Sequence, residues 1–355
     1  MSVITSYPGI YISENGQSNL SITNISTAVP AFITTRSEGG SPQDKIAYFK
    51  SWDDFKKVVP KENWNARYYN TLYLWFSHGG GACYLIDYPE VAKIATMDDV
   101  TLVVSHGWNG ELIPLISTLC GPGKNRFVLL DGPKEKIAPD AVSADVTADY
   151  PASPYAGTWY PWFRSDKSTE LLPPSVIAAI SIAKTDRTGG VWKAPAGAAM
   201  SGITPAFPVS DELQGRFTQG KALNMIRTFP ELGTVAWGAR TLEDSESWRY
   251  ISVRRLFSMV EREIQLALNN WMFEANSQPT WQRVKAVVDN YFHRLWQQGA
   301  LLGNKEEEAW FVHIGRWITM TDADISQGKM IINVGLAAVR PAEFIILQFS
   351  QNIAQ

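Results

Sequence analysis

The sequence predicts an α/β fold, a mixed sheet core with flanking helices and extended strand arms at both ends, and three observations carry that expectation. First, residues 83–86, 101–105 and 127–130 are compact, continuously apolar runs separated by room for crossover helices, the pattern of strands covered on both faces. Second, two later segments repeat apolar residues at helical spacing. Third, Tyr7-Pro8-Gly9-Ile10-Tyr11-Ile12 and Pro341-Ala342-Glu343-Phe344-Ile345-Ile346-Leu347-Gln348-Phe349 are apolar and β-prone, whereas chain ends are ordinarily polar. In a monomer such tails are exposed sheet edges. Either the same core holds them or neighbouring copies do, by strand addition, and the second option implies a polymer.

After the first arm, residues 28–35 read as a short strand closed by Gly39-Gly40-Ser41-Pro42. Ser51, with Asp54 three residues on, starts a small helix that turns Phe55 and Val58 to one face. A second helix over 66–77 carries Tyr69, Leu72, Tyr73 and Phe76 at helical spacing, is expected to pack on a sheet, and stops at Gly79-Gly80-Gly81. A crossover helix is expected over 111–119. Pro174 and Ser175 mark the start of an apolar helix over 176–184. Residues 189–220 read as an ordered loop because Trp192, Ile203 and Phe207 need burial. In the next helix Leu256, Val260, Ile264, Ala267 and Trp271 form one stripe, with Arg254, Arg255, Glu261, Arg262 and Gln265 off it. In the one after, Thr280 is the expected cap and Val284, Val287, Val288, Tyr291, Phe292 and Leu295 the stripe, ended by Gly299. Strands at 309–314 and 329–336, with a polar segment between, lead into the last arm.

With 355 residues, 45% of them hydrophobic, the chain can bury one large domain or two intimately joined ones. Its net charge of -3 provides no global field for nucleic acid or anionic membrane. Cys83 and Cys120 support neither a disulfide framework nor a zinc site, and the four histidines add no ligand spacing, so no cofactor or metal is expected. The start lacks the features of a secretion signal and no apolar run reaches about 18 residues, which predicts a soluble protein made in a reducing cytoplasm, outside the Sec pathway and not inserted in membrane.

Two glycine loops invite an enzymatic alternative. His78-Gly79-Gly80-Gly81 resembles an oxyanion-hole loop, but no Gly-x-Ser-x-Gly occurs, and a helix C-cap turning into the 83–86 strand explains it more simply. Gly121-Pro122-Gly123-Lys124 lacks the spacing and the following Ser or Thr of a phosphate loop. A hydrolase or nucleotide-binding enzyme would use one of these loops. A carbohydrate-binding module would instead expose Trp159 and Trp162. The acids Asp98, Asp99, Asp322, Asp324 and Glu306 to Glu308 read as solvated faces, and lone His106, His293 and His313 as satisfied side chains. No catalytic set emerges.

Taken in order, further pieces resemble one family: Tyr7-Pro8-Gly9-Ile10-Tyr11, Phe127-Val128-Leu129-Leu130-Asp131-Gly132-Pro133, Tyr160-Pro161-Trp162, Pro173-Pro174-Ser175, and Gly190-Val191-Trp192-Lys193-Ala194-Pro195-Ala196. They continue with Trp237-Gly238-Ala239-Arg240-Thr241-Leu242, Trp248-Arg249-Tyr250-Ile251, Val253-Arg254-Arg255-Leu256 and Pro341-Ala342-Glu343-Phe344-Ile345. The chain resembles, almost end to end, the contractile tail sheath proteins of phages and related contractile injection systems. Too short for the large protruding insertions of many phage sheaths, it is similar to the compact sheath subunits of extracellular injection systems.

The resemblance implies a non-enzymatic structural subunit forming six-fold rings stacked helically around an inner tube, together with baseplate and terminal cap proteins and paralogous sheath subunits as further partners. Contraction drives the tube through a target envelope. The particle is assembled in the bacterial cytoplasm and then released, or forms part of a virion tail. It also implies arms over 1–22 and 337–355 around core parts 23–188 and 189–336. Ile10, Tyr11, Ile12, Phe344, Ile345, Ile346, Leu347 and Phe349 would pair with neighbouring subunits. The family presents a helix or loop of the C-terminal half to the tube, and the polar stretch with Thr321, Asp322, Asp324 and Gln327 is the candidate here.

Overall fold

A computed structural model describes residues 22, 26–34, 45–58 and 67–343. Among these, the largest element is an eight-stranded mixed sheet in the order β11-β10-β6-β5-β4-β1-β3-β2. It is built from β1 (Pro30–Thr34), β2 (Ile46–Phe49), β3 (Cys83–Asp87), β4 (Leu102–Val104), β5 (Phe127–Asp131), β6 (Ala156–Tyr160), β10 (Leu223–Phe229) and β11 (Gly233–Trp237). The three continuous apolar runs are β3, β4 and β5. Parallel pairing joins β3 to β1, β1 to β4, β4 to β5, β5 to β6 and β6 to β10, while β2 and β11 close the edges antiparallel. Full burial of both faces explains why these strands read as runs rather than as alternation: Val103, Val104, Val128 and Leu129 are all 0% exposed.

Short helical turns over 88–96 and 109–119 cover one face of the sheet, and longer helices cover the other. Helix α1 (Trp52–Val58) begins as expected, with Ser51 Oγ accepting the Asp54 amide at 3.2 Å. Helix α2 (Arg67–Ser77) packs on the sheet as expected. Of its apolar stripe only Leu72 is fully buried; Tyr69, Tyr73 and Phe76 surround Trp52 of α1, with ring centroids 5.2, 5.5 and 6.4 Å away. Tyr68, Leu72 and Trp75 form the core face. Helix α3 (Pro174–Gly189) lies under the sheet centre, and its stretch from Pro174 to Ile182 is buried throughout. The expected crossover over 111–119 is split into short turns, because Pro114 cannot donate to a continuous helix.

A second layer follows. Helices α4 (Ile251–Leu268) and α5 (Gln278–Gln297) enclose Leu256, Val260, Tyr291, Phe292 and Leu295, and pack against a two-stranded antiparallel sheet of β12 (Trp310–Ile314) and β13 (Ile332–Leu336). Each such large apolar side chain contributes about 1.5–3 kcal/mol by its burial. The cap of α5 is Ser277 rather than Thr280, which is buried in the first turn beside Pro279. Strand β13 starts three residues later than expected. Of a three-stranded sheet of β7 (Phe163–Ser165), β8 (Ser168–Leu172) and β9 (Ile203–Pro205), only β9 falls in the stretch 189–220 read as a loop.

Candidate functional site

Open α/β sheets bind ligands at the carboxyl ends of strands where the strand order reverses, here between β1 and β4. The chain fills that place with its own side chains. His106, directly after β4, is 0% exposed and donates from Nδ1 to the Ile33 carbonyl at 2.9 Å, which leaves Nε2 to accept the Thr71 hydroxyl at 2.8 Å. Burial, helped by the Arg67 charge and opposed by the Ile33 bond, lowers its pKa to about 3. Next to it the buried Asp131 carboxylate accepts the Gly107 amide through Oδ2 and the Ser175 amide at the start of α3 through Oδ1, both at 2.7 Å. Burial pushes Asp131 up and these amide bonds hold it back.

The enzymatic alternatives meet the same fate. Gly79, at φ +79°, and Gly80 close the α2 C-terminus through amides bonded to Phe76 and Trp75 carbonyls at 3.0 and 2.8 Å, and His78 Nδ1 bonds the Leu74 carbonyl at 2.9 Å. The Gly123 amide is taken by Glu261 Oε2 at 2.9 Å and Lys124 Nζ by the Thr118 carbonyl at 2.6 Å, so Gly121 to Lys124 form no phosphate cradle. Trp159 and Trp162 are 1% and 7% exposed, which overturns the sugar-binding reading. Asp98 pairs with Arg262, Asp99 with Tyr84, Glu306 with His293, and His313 stacks on Phe311. Among the described residues, no group of three His, Cys, Asp or Glu could hold a metal, and no helix is long and apolar enough to cross a membrane.

The remaining candidates lie on the second layer. Among the described residues the β12–β13 sheet has no third strand on either side. Its inner face, with Trp310, Val312 and Ile314, is buried; Phe311 and His313 face outward. Beside β13, and not β12, runs a groove of about 610 Å³ lined by Trp248, Phe257, Val260, Ile264, Val334 and Leu336. Beside β12 a second groove, of about 650 Å³, is more charged, with Lys285, Asp289, Lys305 and Glu306. Thr321, Asp322, Asp324 and Gln327 are brought together on one short helix, Asp322–Ser326, which Thr321 caps with Asp324 in a reciprocal box; Asp322 pairs with Arg316 at 2.5 Å. That segment was expected only as a polar stretch; the spacing of Thr321 and Asp324 carries the helix signal. Ile10, Tyr11, Ile12, Phe344, Ile345, Ile346, Leu347 and Phe349 lie outside the described residues.

Sequence reasoning missed how both chain ends are rooted. The Ile22 carbonyl accepts Arg294 Nη2 at 3.2 Å, and the Thr27 carbonyl accepts Arg255 Nη2 at 2.7 Å. At the other end Glu343 meets Arg240 and Tyr250. Arg254, placed off the apolar stripe, is buried against the rings of Trp248 and Tyr155 and pairs with Glu261 at 2.8 Å.

Comparison with known proteins agrees with this picture. Residues 243–352 match the model of the phage tail sheath C-terminal domain. The chain is 46% identical to a protein of the sheath complex of the PVC extracellular contractile injection system in its contracted state, over 99% of each chain, with a TM-score of 0.90. It is 55% identical, over 98% of this chain and 100% of the other, to a protein in the contracted anti-feeding prophage baseplate structure, with a TM-score of 0.89. A sheath tail protein from Desulfitobacterium hafniense shares the fold at 8% identity, with a TM-score of 0.63 over 93% of this chain and 100% of its own. No curated protein matches. With near-complete coverage at such identity and a fold whose ligand crevice is closed, the chain belongs to the contractile tail sheath family, as a structural sheath subunit of the contractile injection system type.

Proposed function

We propose that this chain builds a sheath of stacked six-fold rings by lending its end segments, 1–22 and 337–355, to neighbouring copies around a core of 23–188 and 189–336. The observation that carries this reading is the outer edge of β13, left without a described partner strand beside an apolar groove, in a chain with apolar, β-prone ends. An added strand gains main-chain hydrogen bonds worth about 1 kcal/mol net each, and its apolar side chains would cover Phe257 and Ile264. Such ties can hold while rigid cores rotate past one another, as contraction requires.

The short helix with Thr321, Asp322, Asp324 and Gln327 is proposed to face an inner tube, supported by its exposure and polarity. A baseplate, a terminal cap and paralogous sheath subunits are further proposed partners, with assembly in the bacterial cytoplasm and release of the particle or its incorporation in a virion tail. Negative-stain microscopy of concentrated full-length protein tests the assembly: rings or cylinders are expected, and folded but non-assembling protein after deletion of 1–12 or 343–355. Monodisperse small particles from the intact chain would refute it. Charge reversal at Asp322 and Asp324 tests the tube contact, and unchanged docking of the tube would remove that assignment.

A further inference from the structure

Arg240 is built into the end of the large sheet through its own main chain. Its amide donates to Asn224 Oδ1 at 2.8 Å, and Asn224 Nδ2 donates back to the Arg240 carbonyl at 2.8 Å and to Thr158 of β6 at 3.1 Å. Gly238 permits this approach, since a Cβ there would lie 2.8 Å from Asn224 Oδ1. The guanidinium projects toward the chain end. Its Nε donates to both carboxylate oxygens of Glu343 at 3.1 and 3.0 Å, Nη2 to Oε2 at 2.5 Å, and Nη1 to the Thr218 carbonyl. Tyr250 Oη adds a bond to the same Oε2 at 3.2 Å. Burial pulls the Arg240 pKa down, but the Glu343 carboxylate outweighs it and leaves it raised.

The segment carrying Glu343 arrives from the other layer. Ala337 donates to Ala309 at 2.8 Å, Ala338 bridges Leu301, and Val339 donates to Ala300 at 3.2 Å. Residues 337–343 therefore cross from the helical layer to the end of the eight-stranded sheet and are fastened at both ends. Along the crossing they wall a cavity of about 230 Å³ with Phe217, Leu223 and Trp237. Exposed ion pairs contribute little, but here the Arg240 and Glu343 side chains are 9% and 22% exposed. Removing the carboxylate strands a buried charge.

We infer that Arg240 is the positioning residue of the C-terminal arm: by clamping Glu343 it makes residues 337–343 part of the rigid core. It thereby sets the point from which residues 344–355 are presented to a neighbouring copy. The arm then begins at Phe344, not at residue 337. This inference rests on the arm exchange proposed above.

Hydrogen exchange on the full-length protein tests it, with Glu343→Lys, Glu343→Gln and the swap Arg240→Glu/Glu343→Arg, alongside sedimentation of assembled material. Glu343→Lys is expected to speed exchange of the 337–343 amides by about tenfold to a hundredfold. Exchange in β5 should stay unchanged, the assembled fraction should fall, Glu343→Gln should lie between, and the swap should restore part of both. Unchanged protection in Glu343→Lys would overturn the clamp, as would unchanged assembly after the segment has loosened. Failure of the wild type to assemble would count against arm exchange alone, with the exchange rates still deciding whether Arg240 holds Glu343.

Discussion

Arg255 of α4 and Asp186 of α3 form a buried bidentate ion pair, Nη1 to Oδ1 at 2.8 Å and Nη2 to Oδ2 at 2.7 Å, with side chains 7% and 5% exposed. The same Nη2 holds the Thr27 carbonyl ahead of β1 at 2.7 Å. One guanidinium thus joins the helix under the large sheet, the long helix of the second layer and the segment leading from the N-terminus.

Breaking that pair from one side leaves a buried charge. Asp186→Ala is expected to cost about 3–5 kcal/mol, whereas replacing both partners by apolar residues of similar volume should cost much less. Urea denaturation of the two variants distinguishes them, and a wild-type midpoint for Asp186→Ala would contradict the role assigned to the pair.

Acid should destabilise the fold through His106. Its folded pKa, about 3, lies below the ordinary 6.5, so the unfolded chain binds a proton that the native state refuses; stability is complete above 6.5 and falls with pH toward 3. In that window the wild type should lose about 1.4 kcal/mol more per pH unit than His106→Asn, a residue that tolerates the positive φ of 52°. Parallel pH slopes in the two proteins would show that His106 is not the sensor.

Strand addition at β13 should be sensitive to charge along its edge. Val334→Lys, or Ile264→Asp in the adjacent groove, is expected to abolish cylinders while the subunit stays folded, because Lys on an edge blocks pairing and a carboxylate cannot be buried unpaired. Circular dichroism with microscopy checks both halves. Normal cylinders from both variants would point to an acceptor elsewhere.

The helix Asp322–Ser326 should depend on its reciprocal cap. Thr321→Ala is expected to weaken it by about 1 kcal/mol, seen as faster amide exchange over 322–328. The Thr321 hydroxyl and amide lower the Asp324 pKa, so the cap is present above the ordinary aspartate value and is lost as pH falls through the folded one. Exchange insensitive to both changes would mean that packing on Ile325 alone keeps the helix.

Much of this was readable in the chain because it depended on neighbours in sequence. Ser51 capping α1, the apolar runs of β3, β4 and β5, the stop at Gly79, the stripe of α5 and that of α4 as far as Ala267 all follow from local periodicity and backbone chemistry; Trp271 lies past the end of α4 and packs with Trp281 and Val284 instead. Misreadings arose where the partner was distant. Periodicity gives the Tyr69 and Tyr73 face of α2 but not its neighbour, which is Trp52 of α1. Thr280 looked like a cap, yet Ser277 and Pro279 start the helix one turn earlier.

By itself the sequence determined the α/β class, the order of its elements, the absence of a recognisable catalytic motif, and two chain ends suited to strand pairing, because each follows from which residues are apolar and how they are spaced. Only the tertiary structure decided that His106 and Asp131 close the crevice at the sheet switch point, that Arg254 and Arg255 are buried, and that Arg240 meets Glu343 across 103 positions. A polar side chain is stable inside only beside a suitable partner, and which partner reaches it is settled by the packing of layers rather than by the residues next to it.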